Sequence, residues 1–369
     1  MNSLYLCALG FAVINPFFSK KGYRVYLWMI LIVLVYFSYH LKVTESMDLY
    51  RHIEEMELFH HMGLEWVLEN RMDDNPLAKL FFYAFSTFEN PKLLPAFSAF
   101  ICYGSAFYIL LKCGERFDLS KGQMNCLLLV FCLCFYYDHA VTNIRIYLCY
   151  ALISYFVYNE IMEGRFKRVC WVVYIACCFM HYAALPFLLF RIVMQIKRKV
   201  SKSELFFFII IAFAVLASEF IVPRLAKLGG VFETLAGKSE AYQYYYVFGI
   251  WQFLSSLMRI ICFSEIYRFL YREYKDGYQE EKSIMFYLSN LNVMLICLIG
   301  NYQLVYRTPN FFHYLFMVPM SMLMKLDTSK LRKDRQYMHS ALKICLFLVT
   351  VFTIWYQVAF IYPSIDFEF

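Results

Sequence analysis

The stretch 142-TNIRIYLCYALISYFVYNEIMEGRFKRVCWVVYIACCFMHYAALPFLLFR-191 decides how the rest of the chain is read. Two apolar runs are joined by the short basic turn Gly164-Arg165-Phe166-Lys167-Arg168. Each run carries an ionisable side chain that lipid would not tolerate unaided. Arg145 opens the first, and His181 stands where the second reaches its far side. Two segments joined by one tight turn return to the same side, so Arg145 and His181 are expected to face one compartment. On insertion scales a charge at the bilayer centre costs roughly 2.5–3.5 kcal/mol, which makes an intramembrane ionisable group a functional hypothesis by default.

Composition sets the class. Of 369 residues, 61% are hydrophobic and 17% charged, and mean hydropathy is +0.51. A soluble globule of this length would not carry so many long apolar runs, so the expected fold is all-α: a polytopic integral membrane bundle forming one domain over 1–369. The aromatic share of 21% fits interface belts and sugar-stacking surfaces. The thirteen cysteines lie mostly inside apolar segments, as Cys132, Cys134, Cys177 and Cys178 do, with no CxxC pair and no zinc spacing. They read as small buried hydrophobes, and no metal site is expected. The net charge of +7 is no nucleic-acid signal, because the basic residues sit in short loops between apolar runs. The first apolar run lacks a basic flank and reads as an ordinary first span, not as a signal peptide.

Apolar segments fall near 3–18, 25–41, 95–111, 124–140, 145–160, 169–181, 183–196, 205–222, 247–270, 283–301, 308–325 and 341–360. The pair within 169–196 is too short for two crossings of ~20 residues each. It reads as two half-helices that break at His181-Tyr182-Ala183-Ala184-Leu185-Pro186, a device tolerated at membrane depth only where it is buried or lines a wet cavity. Segment 76–94, bounded by prolines and carrying Lys79 and Glu89, reads as re-entrant or interfacial. Placing the basic clusters inside predicts about twelve membrane segments with both termini outside. The inside loops then hold 24 of the 35 Lys and Arg residues, in keeping with the positive-inside rule. Asp48, Arg51, Asp138, His139, Arg145, His181, Arg307 and His313 then all fall at or just below the outer face. So does the longest loop, 42–75, with nine acids.

Arg145 and Arg307 are the informative pair. A guanidinium is a planar fork that matches phosphate oxygens and stays charged at any working pH. Two of them at one membrane face can hold a pyrophosphate whose lipid tail lies in the bilayer, and each can also be read as a snorkelling anchor. Arg259, deep in its span, pairs with a polyprenyl phosphate or with a buried acid or carbonyls, the structural partner being favoured. His181 donates to phosphate, acts as acid or base, or holds the break together. Asp48 is the first choice for orienting an acceptor hydroxyl, and Asp138 the second. Arg51 reaches the same ligand or merely pairs with Asp48. His139 is a weaker candidate, and His313 reads as part of an aromatic wall. Tyr242, Tyr244, Tyr245 and Tyr246 stack on sugar rings or sit at the interface. Glu54, Glu55, Glu57, Glu65 and Glu69 read as the solvated face of an amphipathic helix. No cytosolic D-x-D pair, no G-x-x-x-x-G-K-[ST] loop and no G-x-G-x-x-G is present, so no cofactor and no nucleotide-sugar donor is expected.

These residues also carry a resemblance. Asn143 and Arg145, a helix, a short basic loop, a second helix, then Phe179, His181, Ala184 and Leu185 resemble the EpsG family of Wzy-like exopolysaccharide and capsule polymerases. Asp48-Leu49-Tyr50 resembles its early D-x-Y segment. Arg307, with the aromatic run Phe311, Phe312, His313 and Tyr314, resembles its late R-x-x-x-Y/F segment. The chain departs from the family at Asn75, where a carboxylate often precedes Pro76-Leu77; Asp73 and Asp74 lie just before.

The resemblance implies a GT-C-like architecture in the bacterial plasma membrane. It implies a glycosyltransferase that joins oligosaccharide repeat units carried on undecaprenyl pyrophosphate at the outer face, with the lipid-linked units as donor and acceptor. Polysaccharide export and chain-length proteins are candidate partners; nucleic acid is not. By the same resemblance Arg145, Arg307 and His181 hold the pyrophosphate, and Asp48 activates or orients the acceptor. Two other classes stay open: a flippase or exporter of lipid-linked oligosaccharide, which should show inverted repeats, and a polysaccharide O-acetyltransferase.

Overall fold

The computed structural model describes residues 14–15, 18–72, 75–185, 187–188, 191–192, 250–274, 278–297, 309–361 and 366–368. Within them the chain is all-helical, as expected. The α-helices are α1 (Tyr23–Tyr39), α2 (Asp48–Asn70), α3 (Pro76–Ser86), α4 (Leu93–Arg116), α5 (Lys121–Cys134), α6 (Tyr137–Thr142) and α7 (Ile144–Met162). They continue with α8 (Lys167–Met180), α9 (Ile250–Glu273), α10 (Gln279–Cys297), α11 (Pro309–Leu315), α12 (Met317–Lys325) and α13 (Lys333–Tyr356). An isolated bridge joins Leu41 to Phe367. The expected segment 205–222 and most of 3–18 and 183–196 lie outside the described residues.

The core is built on α4. Its stripe of Ser98, Ala99, Cys102, Ala106, Ile109, Leu110 and Cys113 is buried at helical spacing. These mostly small side chains let α1 and α7 pack closely against it. Gly114 allows a similarly close approach by α5: a Cβ there would meet Met124 Cε at 2.8 Å. The start of α5 is written locally. Ser120 Oγ accepts from the Gln123 N–H at 3.3 Å and Gln123 Oε1 accepts from the Ser120 N–H at 2.9 Å, a reciprocal capping box.

Two helices among the described residues are long and apolar enough to cross a membrane, Leu93–Arg116 and Lys333–Ala359. The shorter apolar helices Tyr23–Tyr39 and Lys121–Cys134 reach about 26 and 21 Å at ~1.5 Å per residue, short of a ~30 Å hydrocarbon core. Helix α3 has 11 residues and is shorter still.

Two expected segments are broken where continuous helices were expected. Residues 124–140 divide into α5 and α6, because Phe135 and Tyr136 are extended (ψ 125° and 104°). That break swings the Tyr136 hydroxyl onto Arg259. Residues 308–325 divide into α11 and α12 at Phe316. Pro319 lacks the N–H that would bond the Leu315 carbonyl, and the interruption falls at that point.

The ends of the helices sort by chemistry. At one end lie the basic segments, tied by Lys20–Asp118, Arg116–Glu281 and Arg335–Glu273. At the other end Asn90 donates to Tyr39 Oη at 3.0 Å, Gln357 to the Leu133 carbonyl at 2.7 Å, and residues 366–368 return to His40 and Lys42. The polar site residues gather at this second end.

Candidate functional site

The site is framed by α2, α3, α6, α7 and α8. The first half of α2 buries Leu49, His52, Met56 and Phe59, one stripe at three- and four-residue spacing. Glu54, Glu57, Glu65 and Glu69 are exposed, as the amphipathic pattern requires. Glu55 is the exception: it pairs with Lys79 of α3, and the two side chains are only 18% and 14% exposed. At the start of the helix Asp48 is bound by Arg51, one turn on. Of the two readings of Arg51, pairing with Asp48 is the observed one.

His52 was missed by the sequence reading. It is 6% exposed, with its ring centroid 4.4 Å from that of Phe82 on α3. Burial pushes its pKa down to about 3, and the field of Arg145 pushes the same way, as Arg51 and Lys79 do; Asp48 opposes them. Four charged groups from three helices therefore act through space on one buried imidazole. The regular stripe of α2 was a legible signal for burial of position 52, but its neighbours were not.

Arg145 is the second residue of α7, half-buried. A cation at a helix N-terminus meets the positive end of the macrodipole, so local electrostatics oppose its position. Helices α7 and α8 run antiparallel, and the Cys149 thiol donates to the Cys177 carbonyl at 3.5 Å. Arg145 precedes Cys149 by four residues, and His181 follows Cys177 by four. Both therefore rise about 6 Å beyond that contact toward the same end. The helices that carry them therefore place both residues at one end of the α7–α8 pair.

His181 breaks its helix with an extended backbone (φ −158°, ψ 126°), and its Nδ1 accepts from the Ala183 N–H at 3.0 Å. Holding the break is thus an observed role. It also sets the neutral tautomer, with the proton on Nε2. Helix α8 packs against α3 and places this turn beside the rest of the site.

Asp138 and His139 lie on α6, which touches α2. His139 Nδ1 donates to Asp138 Oδ2 at 2.5 Å, which fixes the orientation of the ring. The Asp138 carbonyl accepts from the Thr142 hydroxyl at 2.8 Å. Asp138 Oδ1 is buried without a hydrogen-bond partner among the described residues.

Arg259 forms a separate node below this layer. It is fully buried, and all five of its N–H donors meet neutral acceptors: the Ser255 carbonyl, Asn310 Oδ1, His313 Nε2, Tyr136 Oη and Ser256 Oγ, at 3.2–3.4 Å. Its guanidinium also stands 5.2 Å from the Tyr136 ring centre. Among the described residues no carboxylate pairs with it, so carbonyl and neutral partners, not an acid, are what hold it. His313 is 3% exposed and belongs to this node, with its ring edge-on to Phe263 at 5.7 Å. It is therefore an internal partner of Arg259, packed against an aromatic ring as the aromatic-wall reading expects. Arg307, Tyr244 and its neighbours Tyr242, Tyr245 and Tyr246, and Asp73 and Asp74 lie outside the described residues. Asn75 adopts a left-handed conformation (φ 52°) directly before Pro76 and opens α3.

The arrangement offers cations (Arg145, Arg51, Lys79), carboxylates (Asp48, Asp138) and two oriented imidazoles (His139, His181) at one end of the bundle. It can bind an anionic group and exchange a proton. No group of three or more His, Cys, Asp or Glu residues able to hold a metal occurs among the described residues. No family model, curated protein or solved structure matches this chain.

Proposed function

We propose that this chain is a multi-pass plasma-membrane glycosyltransferase of the kind its EpsG-like motifs imply, polymerising lipid-pyrophosphate-linked oligosaccharide units at the outer face. One observation supports the reading: Arg145 and His181 rise to one end of the α7–α8 pair, opposite the basic loops, and the charges of Arg145, Asp48 and Arg51 all act on His52. The positive-inside rule makes that end the outer one.

In this reading the N-terminus of α7 and the Arg145 fork hold the pyrophosphate of the donor, with Arg307 as a second cation. The bond between the anomeric carbon and the pyrophosphate oxygen breaks, and a new one forms to the acceptor hydroxyl. That hydroxyl's proton passes to a base, and the negative charge grows on the leaving undecaprenyl pyrophosphate. Fixed cations there act on the transition state. His181 Nε2–H points the same electrostatic way. Asp48 orients or activates the acceptor. The Asp138–His139 pair is the second candidate, with the carboxylate orienting the imidazole so that Nε2 can take a proton. Twelve crossings, a GT-C-like arrangement and the bacterial plasma membrane belong to this proposal. It calls for no metal and no nucleotide.

The test is a strain lacking the gene. Loss of long surface polymer, with single repeat units accumulating on lipid at the outer face, is the expected result. Single units at the inner face would point to a flippase. Unchanged polymer length with altered decoration would point to a modifying transferase.

A further inference from the structure

The surface formed by α1, α4 and α7 carries an open apolar groove of about 510 Å³. Leu27, Trp28, Leu31, Phe100 and Tyr155 are among its walls, and Arg24 lies at one end. Trp28 and Phe100 face each other across it with ring centroids 6.4 Å apart. Its floor is open at Gly104, where a Cβ would meet only Leu31 Cδ2, at 3.9 Å.

The dimensions are informative. Along α1 the groove runs from Arg24 to Leu31, and along α4 from Phe100 to Leu111. At ~1.5 Å per residue these stretches are about 10 and 16 Å long. Half of a ~30 Å hydrocarbon core is about 15 Å, so the groove is as deep as one leaflet. Its charged end lies beside the Lys20–Asp118 pair, at the basic end of the bundle. Arg24 itself is exposed and makes no ion pair among the described residues. An apolar slot one leaflet deep, closed by a cation at its interfacial end, is complementary to one kind of molecule.

We propose that this groove binds an anionic phospholipid of the inner leaflet, with an acyl chain along Trp28, Leu31 and Phe100 and the headgroup phosphate on Arg24. The inference rests on the membrane-spanning reading but not on the polymerase chemistry. A guanidinium fork suits phosphate oxygens, and the cytoplasmic leaflet is the anionic one. The groove is at the opposite end from Arg145 and His181, so it is a site distinct from the candidate active site.

The full chain, purified in detergent, is exchanged against phosphatidylglycerol, phosphatidylcholine or undecaprenyl phosphate, and retained lipid is counted by native mass spectrometry. Phosphatidylglycerol is expected to be retained over phosphatidylcholine. Arg24→Gln is expected to lower that retention roughly fivefold, the factor for one basic residue near an anionic surface. Gly104→Leu, which fills the floor, is expected to lower retention of the acyl chain whatever the headgroup. Arg24→Gln changes an exposed side chain and carries the test alone if Gly104→Leu does not fold. Equal retention of both phospholipids, or wild-type retention by Arg24→Gln, would overturn the proposal. Preference for undecaprenyl phosphate over phosphatidylglycerol would overturn the assigned occupant. A chain that stays in the aqueous fraction without detergent would sink the membrane reading itself, and this inference with it.

Discussion

Arg145→Ala separates a substrate-binding arginine from a structural one. Arg145 is half-buried at the second position of α7. Removing a cation from the positive end of a helix gains about 0.3–1 kcal/mol, and Ala is at least as good a helix former as Arg. Against this stands the loss of whatever its guanidinium touches at a partly exposed position, worth about 0–1 kcal/mol per pair. The net effect on stability should lie within about 1 kcal/mol of zero. If the fork holds the leaving pyrophosphate, activity should fall about 100- to 1000-fold, the usual cost of one preorganised electrostatic contact. Vesicles containing the protein and lipid-linked repeat units, with the product ladder read on a gel, measure the second quantity. Unfolding in mixed micelles measures the first. Wild-type polymer from Arg145→Ala would remove this residue from the site. A stability loss above about 2 kcal/mol, with activity falling only in proportion to folded protein, would make it a structural residue.

Arg145→Lys keeps the charge but not the fork, and should recover only part of the activity. Lys79→Met leaves Glu55 unpaired between α2 and α3 with 18% of its side chain exposed; we expect a loss of about 2–3 kcal/mol, largely recovered in the double variant with Glu55→Leu. Equal stability of the single and double variants would refute that. The folded pKa of His52, about 3, is below its unfolded value, so the unfolded state binds the extra proton. Stability should therefore fall as pH drops from about 6.5 toward 3, with this group contributing a slope of about 1.4 kcal/mol per pH unit. His52→Leu should flatten that limb, and an unchanged slope would count against burial of His52. Arg259→Met strands Asn310 Oδ1 and His313 Nε2 and should destabilise by about 2–4 kcal/mol; a variant as stable as wild type would show that relief of the buried charge outweighs those orphans.

Much of this chain could be read from short windows. The apolar runs announce helices, and Ser120-Lys121-Gly122-Gln123 announces the capping box that starts α5. The amphipathic period of α2 separates its buried stripe from its exposed glutamates. The break near His181 and the shared side of Arg145 and His181 followed from segment length and one tight turn. These signals are local: capping, periodicity and hydropathy act between residues a few positions apart.

What the sequence could not say depends on groups brought together across the chain. The division of 124–140 has no Pro or Gly to mark it; it accompanies the bond between Tyr136 and Arg259, 123 positions away. His52 is neutral because it is buried against Phe82 and the field of Arg145 opposes its protonation. Arg259 is held in part by Asn310 and His313 of α11 and by Tyr136 of the α5–α6 junction, which no window around position 259 contains. Sequence by itself determined that this chain is helical and apolar, and roughly where most of its apolar helices run. Packing alone decided which polar groups meet, because an unpaired buried charge or donor has to find its partner in whatever helix lies against it.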